Sequence, residues 1–184
     1  KTVAQSGSGA ALIAKPDLAQ AIIKQTQQAV EDWANGKSLS DCEKVNHKLL
    51  RALEEQKAFW QIQNVQRKLL PVSVKTRLGI KQNELQSWLP TLLATKPDLI
   101  TIHGRTLKQG YSGQADWQAL TTAGKMIKDF DENIQFFANG DVKNYEDALA
   151  KAELSGADGI MIGRASFGNP FVFSAISHIK SSPA

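Results

Sequence analysis

Two short apolar runs late in the chain end in glycine beside a polar or charged residue. "IQFFA" (Ile134–Ala138) stops at Asn139-Gly140-Asp141, and "GIMI" (Gly159–Ile162) stops at Gly163-Arg164. Each leads into a segment that can begin a helix, "NYEDALAKAE" in the first case and "ASFGNPFVF" in the second. A phosphate monoester needs backbone N–H donors, often at a helix start, together with a cation. Glycine lets the backbone come close to such an anion, and Arg164 would add a planar fork that stays charged. About one strand–helix unit apart, the two turns read as the lips of a single phosphate cup.

Other residues could share that site. Lys75, in "VSVKTRLG", would point into it from a strand end, where a cation can meet the negative charge that a reduced flavin acquires. His103 could donate a hydrogen bond to a carbonyl, or be a satisfied structural group. Arg105 follows it at the same strand end. Tyr111, in "TLKQGYSGQADW", could stack on a base or anchor its loop on Trp117. The single cysteine, Cys42, sits in the polar stretch "SLSDCEK" away from every strand end, which argues against a catalytic thiol there and rules out an internal disulfide. Three dispersed histidines and one cysteine form no metal-ligand pattern, so no metal is expected.

The elements that would position these groups follow from the rhythm after Pro71. Four strand-like runs begin at Val72, Leu99, Ile134 and Gly159, at intervals of 27, 35 and 25 residues, with a helix-like segment in each interval. That alternation means βα units and a parallel sheet, with apolar residues on both strand faces where helices cover the sheet. Lys75 and Arg77, His103 and Arg105, Asn139 and Asp141, and Arg164 all fall at the C-terminal ends of their strands, the face on which a (βα) barrel or an open doubly wound sheet holds its ligand. Four strands are half of a barrel, so the fold expected is α/β, the C-terminal half of a (β/α)8 barrel.

Ahead of the strands, residues 1–30 read as a glycine loop and a barrel helix. Pro16 suits the first helical turn, and Leu18, Ile22, Ala29, Val30 and Trp33 form one apolar face. Residues 31–70 read as a helical insertion, with Ser40 as a cap, Val65 among its apolar positions and Pro71 as its end; residues 71–184 carry the half barrel. From Lys37 to Lys81 there are ten Lys/Arg against four Asp/Glu, a surplus compatible with RNA or with a solvated helical face. With 42% hydrophobic residues, no run near the roughly 20 apolar residues of a membrane span and no signal-peptide core, a cytoplasmic protein is expected.

In order along the chain, "KTVAQSGSGAALIAKPDL", "PVSVKTRLG", "ITIHGRTLKQGYSGQADWQAL", "FFANGD" and "GADGIMIGRASFGNP" resemble segments of the tRNA-dihydrouridine synthase family. "KTV…GSG" and "QGY…DWQA" are most similar to its bacterial C-type branch, which acts on uridine-16 of the tRNA D-loop. The resemblance implies an FMN-containing barrel followed by a small helical domain that helps hold tRNA. NADPH reduces the flavin, which passes hydride to C6 of a flipped-out uracil while a cysteine protonates C5. Carried over by motif, Lys75, Asn139, Gly140, Asp141, Gly163 and Arg164 contact FMN and His103 sits by the flavin ring. Arg105 supports the site on the substrate side, and Tyr111 matches a tRNA-contacting position. In the family an Asn-x-Gly-Cys-Pro segment precedes the motif that opens here at Lys1. The proton donor is therefore expected upstream of Lys1, and this chain alone is expected not to complete the reaction. Another FMN-barrel reductase and a non-catalytic RNA-binding remnant stay open as alternatives.

Overall fold

The computed structural model describes residues 2–62 and 66–174. Lys1, the Val65 expected on the insertion's apolar face, and the last ten residues of the expected half barrel lie outside them. In chain order come α1 (Thr2–Gln5), a 3-10 turn (Gly9–Ala14), α2 (Pro16–Ala34), a short turn (Leu39–Asp41) and α3 (His47–Phe59). Then β1 (Ser73–Arg77), α4 (Leu85–Leu93), β2 (Leu99–His103), α5 (Trp117–Phe130), β3 (Gln135–Asn139), α6 (Tyr145–Ser155) and β4 (Gly159–Met161) alternate, followed by two 3-10 turns (Arg164–Ser166 and Pro170–Phe173).

The four strands are parallel, in the spatial order β1-β2-β3-β4. An order that never reverses separates a winding barrel from a doubly wound sheet, whose strand order turns back at a switch point. The right-handed crossovers usual between parallel strands then put the helices on one side. The chain is an α/β fold, part of a (β/α)8 barrel.

Side chains alternate across a strand, so the register sorts them into two faces. Val74, Ile100 and Phe136 form one row, and Thr76, Ile102, Ala138 and Ile160 the next. This face meets the helices. Ile100, Ile102, Phe136 and Ala138 are wholly buried against Leu89, Leu120, Ala123 and Ile127. The opposite face carries Lys75, Thr101, Phe137 and Gly159 in one row and Arg77, His103, Asn139 and Met161 in the row nearer the strand ends. Gly159 is glycine for a packing reason, because a Cβ there would stand 2.5 Å from the Phe137 ring. The expectation of strands apolar on both faces is corrected here: helices cover one face, and the other turns polar toward its C-terminal edge.

α2 begins at Pro16 as expected, with Asp17 in its first turn. It packs on α4, and Gln20 and Gln27 donate to the carbonyls of Thr91 (2.8 Å) and Thr95 (2.9 Å). The stripe facing inward contains Ala19 and Ile23, while Leu18 and Ile22 are nearly half exposed. Two apolar stripes lie side by side on this helix, and the helix takes up α4 with the one that spacing did not favour. The boundary expected at residue 30 falls inside α2. Between α2 and β1 the described residues hold one α-helix, α3, capped by the Asn46 side chain on the Lys48 N–H (2.8 Å) and ended at Trp60. Ser40 caps no helix; a reciprocal Ser38–Asp41 box closes the short turn instead.

Gln27 touches Thr95, just ahead of β2, so the end of α2 and the insertion after it lie at the N-terminal edge of the sheet. Arg67 returns the chain to this edge by donating to the carbonyls of Trp33 (2.9 Å) and Lys37. Much of the basic surplus is therefore remote from the strand ends, and part of it is neutralised locally: Lys37 on Asp32, Arg51 on Glu55 and Lys57 on Glu54, each at 2.8 Å. Among the described residues no helix is long and apolar enough to cross a membrane.

Candidate functional site

A cavity of about 600 Å³ opens at the C-terminal ends of the strands, within the ~300–1,000 Å³ range of small-molecule sites. It is lined by Lys75, Arg77, His103, Tyr111, Asn139, Gly140, Asp141, Gly163 and Arg164, among others. Parallel pairing creates it. Lys75 and Arg77 stand two apart on the uncovered face of β1, His103 and Asn139 are aligned with Arg77 on β2 and β3, and the two glycine turns follow directly on β3 and β4.

The lips are joined. Asn139 Nδ2 donates to the Met161 carbonyl at 2.7 Å, and Arg164 Nη2 donates to Asp141 Oδ1 at 2.7 Å. Gly140 has φ +142°, and a Cβ on it would lie 2.5 Å from the Ala115 Cβ. Asp141 has φ +51°, a left-handed conformation that Asp tolerates better than most residues. Gly140, Asp141, Val142 and Gly163 all line the cavity. The N–H groups of Gly140, Asp141, Val142 and Gly163 donate to no acceptor among the described residues. Free backbone donors beside an arginine are what an anion requires.

Arg105 does not line the cavity. It lies beneath it, 2% exposed, with Nη2 donating to Asp141 Oδ2 (2.7 Å) and to the Gly113 carbonyl (2.6 Å). Its Nε and Nη1 are buried without a partner among the described residues. The Ala115 N–H also donates to Asp141 Oδ2, at 2.8 Å. One carboxylate therefore gathers the loop after β2, the lip after β3 and the lip after β4. Lys151 Nζ supports the lip from below, on the Asp141 carbonyl (2.7 Å) and the Asp147 carboxylate (2.7 Å).

Burial works to raise the pKa of Asp141. It is outweighed by the Arg105 hydrogen bond, the Ala115 N–H and the two guanidinium charges, which hold the carboxyl below its usual range. His103 is pushed down to about 4, first by burial and then by Arg77, Lys75 and Arg105, with Asp141 opposing. At neutral pH its ring is an uncharged donor and acceptor. Burial and the Arg77 charge lower Lys75. Among the described residues no group of three or more His, Cys, Asp or Glu is placed to hold a metal. Cys42 is exposed in the insertion, at the far edge of the sheet, with its thiol 3.7 Å from the Ser38 carbonyl.

Of the residues read from sequence, Lys75, His103, Tyr111, Asn139, Gly140, Asp141, Gly163 and Arg164 meet at one cavity. Arg77, which the sequence put at the same strand end as Lys75 without a role of its own, also lines it, as do Val142, Lys143 and Ala165, which were not read. Period-two alternation puts Arg77 on the same face as Lys75. Lys143 carries no comparable signal.

The family model for dihydrouridine synthase matches residues 48–183. The chain belongs to the dihydrouridine synthase family. The family match covers the whole sheet, the Tyr111 loop and both lips. The glycine turn and α2 lie ahead of it and are covered by a relative from Synechocystis, named "Probable tRNA-dihydrouridine synthase 1", 30% identical over 178 residues, or 96% of this chain and 38% of that one. A "Probable tRNA-dihydrouridine synthase" from Rickettsia conorii is 41% identical over 113 residues, 59% of this chain and 32% of its own. Another, from Staphylococcus aureus, is 31% identical over 172 residues, 93% of this chain and 40% of its own. The chain thus spans between about a third and two fifths of the curated relatives it matches.

Proposed function

We propose that this chain is the FMN-holding half of a tRNA-dihydrouridine synthase, which reduces the C5=C6 bond of a uridine in the tRNA D-loop with NADPH as reductant; the C-type resemblance points to uridine-16. The observation that carries the reading is the paired lip: unpartnered N–H groups on Gly140, Asp141, Val142 and Gly163, with Arg164 beside them, at the ends of adjacent strands in a chain of this family. These groups fit a terminal phosphate. The surface running inward from them, through Asn139 and His103 to Lys75, suits the polar edge of a flat ring.

When bound, the flavin would supply the hydride. The chain's own residues fix its position. The lips and Arg164 hold the phosphate, Lys75 offers a donor and a positive charge at the ring, and His103 contributes a hydrogen bond without a second charge. Tyr111 stands at the rim, 67% exposed, where an extruded base could stack. Hydride delivery to C6 requires a proton at C5. The only cysteine is remote from the cavity, and the family resemblance puts the donor ahead of Lys1, so the reaction needs that segment.

The test is FMN titration of the purified chain, with and without the residues that precede it in its reading frame, followed by flavin fluorescence. Losing a charge-assisted contact of ~1.5–3 kcal/mol should weaken FMN about 10- to 100-fold in Arg164→Ala. Unchanged affinity in that variant removes the reading. Comparing turnover on tRNA and on free uracil separates it from another FMN-barrel reductase. FMN binding with no turnover on either, even with the preceding residues, favours a non-catalytic remnant.

A further inference from the structure

Tyr111 does not pack on Trp117, the alternative its sequence left open. Trp117 instead donates from Nε1 to the Gly140 carbonyl (3.2 Å), and Lys151 Nζ lies 5.1 Å from its ring centroid. The Tyr111 ring is taken by Arg164, whose Cζ stands 4.9 Å from the ring centroid. That is cation–π range.

Arg164 is half exposed and has, among the described residues, one ion-pair partner, Asp141, reached through a single nitrogen. One such contact leaves the guanidinium free to swing about it, and the Tyr111 ring is the second constraint. The loop that presents the ring hangs on the same carboxylate: Arg105 joins the Gly113 carbonyl to Asp141, and the Ala115 N–H donates to Asp141 directly. Gln109 Nε2 closes the loop on the carbonyls of Ser112 (2.9 Å) and Gln114 (3.0 Å). The path from Asp141 through Arg105, Gly113, Tyr111 and Arg164 returns to Asp141.

We infer that Tyr111 is a positioning residue for Arg164, and that through this stack the loop facing substrate and the lip holding phosphate are energetically coupled. A base that draws the ring off Arg164 lowers the lip's affinity for phosphate, and bound phosphate weakens base capture at Tyr111 by the same factor, since coupling between sites is reciprocal. The inference rests on the phosphate-lip reading above and deepens it.

The experiment is a double-mutant cycle on FMN affinity with the full chain: wild type, Tyr111→Leu, Arg164→Ala and the double variant, with Tyr111→Phe as the conservative control. A half-exposed cation–π stack predicts a loss of about two- to five-fold in Tyr111→Leu. Affinity should be retained in Tyr111→Phe, which keeps the ring, and no further loss should follow when Tyr111→Leu is added to Arg164→Ala. If Arg164→Ala weakens FMN but Tyr111→Leu does not, or if Tyr111→Leu costs the same factor in both backgrounds, the coupling is overturned while the lip stands. If Arg164→Ala itself leaves FMN affinity unchanged, the lip reading falls and the coupling falls with it.

Discussion

Removing the Asp141 side chain should cost far more stability than removing the side chain it neutralises. Arg105 is 2% exposed, and Asp141 is its one charged partner among the described residues. Asp141→Ala leaves a guanidinium buried with its charge unpaired: Nε and Nη1 already lack partners, and Nη2 keeps the Gly113 carbonyl alone. Breaking a buried pair in this way costs about 3–5 kcal/mol, a large share of the ~5–15 kcal/mol that holds a domain together. Arg105→Met is the contrasting case. It relieves the desolvation of the guanidinium, and Asp141, with its side chain 27% exposed, keeps the Ala115 N–H and Arg164. What remains is chiefly an unpaired Gly113 carbonyl, about 1 kcal/mol. Urea unfolding followed by tryptophan fluorescence, with equal slopes for all proteins, reads the difference as a shift in midpoint. In thermal melts, Asp141→Ala should fall by roughly 6–20 °C at ~2–4 °C per kcal/mol. Equal losses in the two variants, or a loss below about 1 kcal/mol in Asp141→Ala, would refute the claim that the buried cation depends on this carboxylate.

His103 adds a pH signature. Its folded pKa, about 4, lies below the ordinary 6.5, so between those values the unfolded chain binds a proton that the folded chain refuses. This contribution is complete above pH 6.5 and is lost as pH falls toward 4, amounting to about 2 kcal/mol at pH 5. His103→Gln should lose that part of the slope; parallel curves for wild type and variant would remove the assignment. Gly140→Ala should both destabilise the chain and weaken FMN, because φ is +142° and the added Cβ meets Ala115 at 2.5 Å. A variant that melts and binds like wild type would show that the lip accommodates a side chain.

The strands were legible because each is a short apolar run closed by glycine or a charged residue, and their observed starts fall within one residue of those read. The two lips were legible for the same reason. A glycine after a strand marks a place where the backbone turns tightly, and an arginine or aspartate beside it marks an anion or its counter-charge. What stayed hidden depends on distance along the chain. Nothing around Arg105 announces that its guanidinium will be buried on Asp141, 36 residues away, so the sequence placed it only as a support on the substrate side of the site. The choice between neighbouring apolar stripes on α2 was made by α4, which periodicity within α2 does not contain. The insertion's position was hidden too. A basic run does not announce where in the fold it will lie, and here most of it is carried to the edge of the sheet opposite the cavity.

The charge balance of the cavity explains why one aspartate sits among so many cations. Lys75, Arg77, Lys143 and Arg164 line the space and Arg105 lies under it, against the single carboxylate of Asp141. The lowered pKa of Lys75 and of His103 registers the same surplus, with Arg77 acting on both after burial. Such a surplus destabilises the empty site and is relieved when an anion enters, so part of the cost of assembling the cations is recovered only on binding. Asp141 limits that cost without cancelling the attraction. It spends both carboxylate oxygens on the two arginines and the Ala115 N–H, orienting Arg164, while the backbone N–H groups of its own lip stay free. An aspartate beside the proposed phosphate cup would ordinarily repel the ligand. Here its charge is turned toward the protein, and the lip presents donors to whatever occupies the cavity.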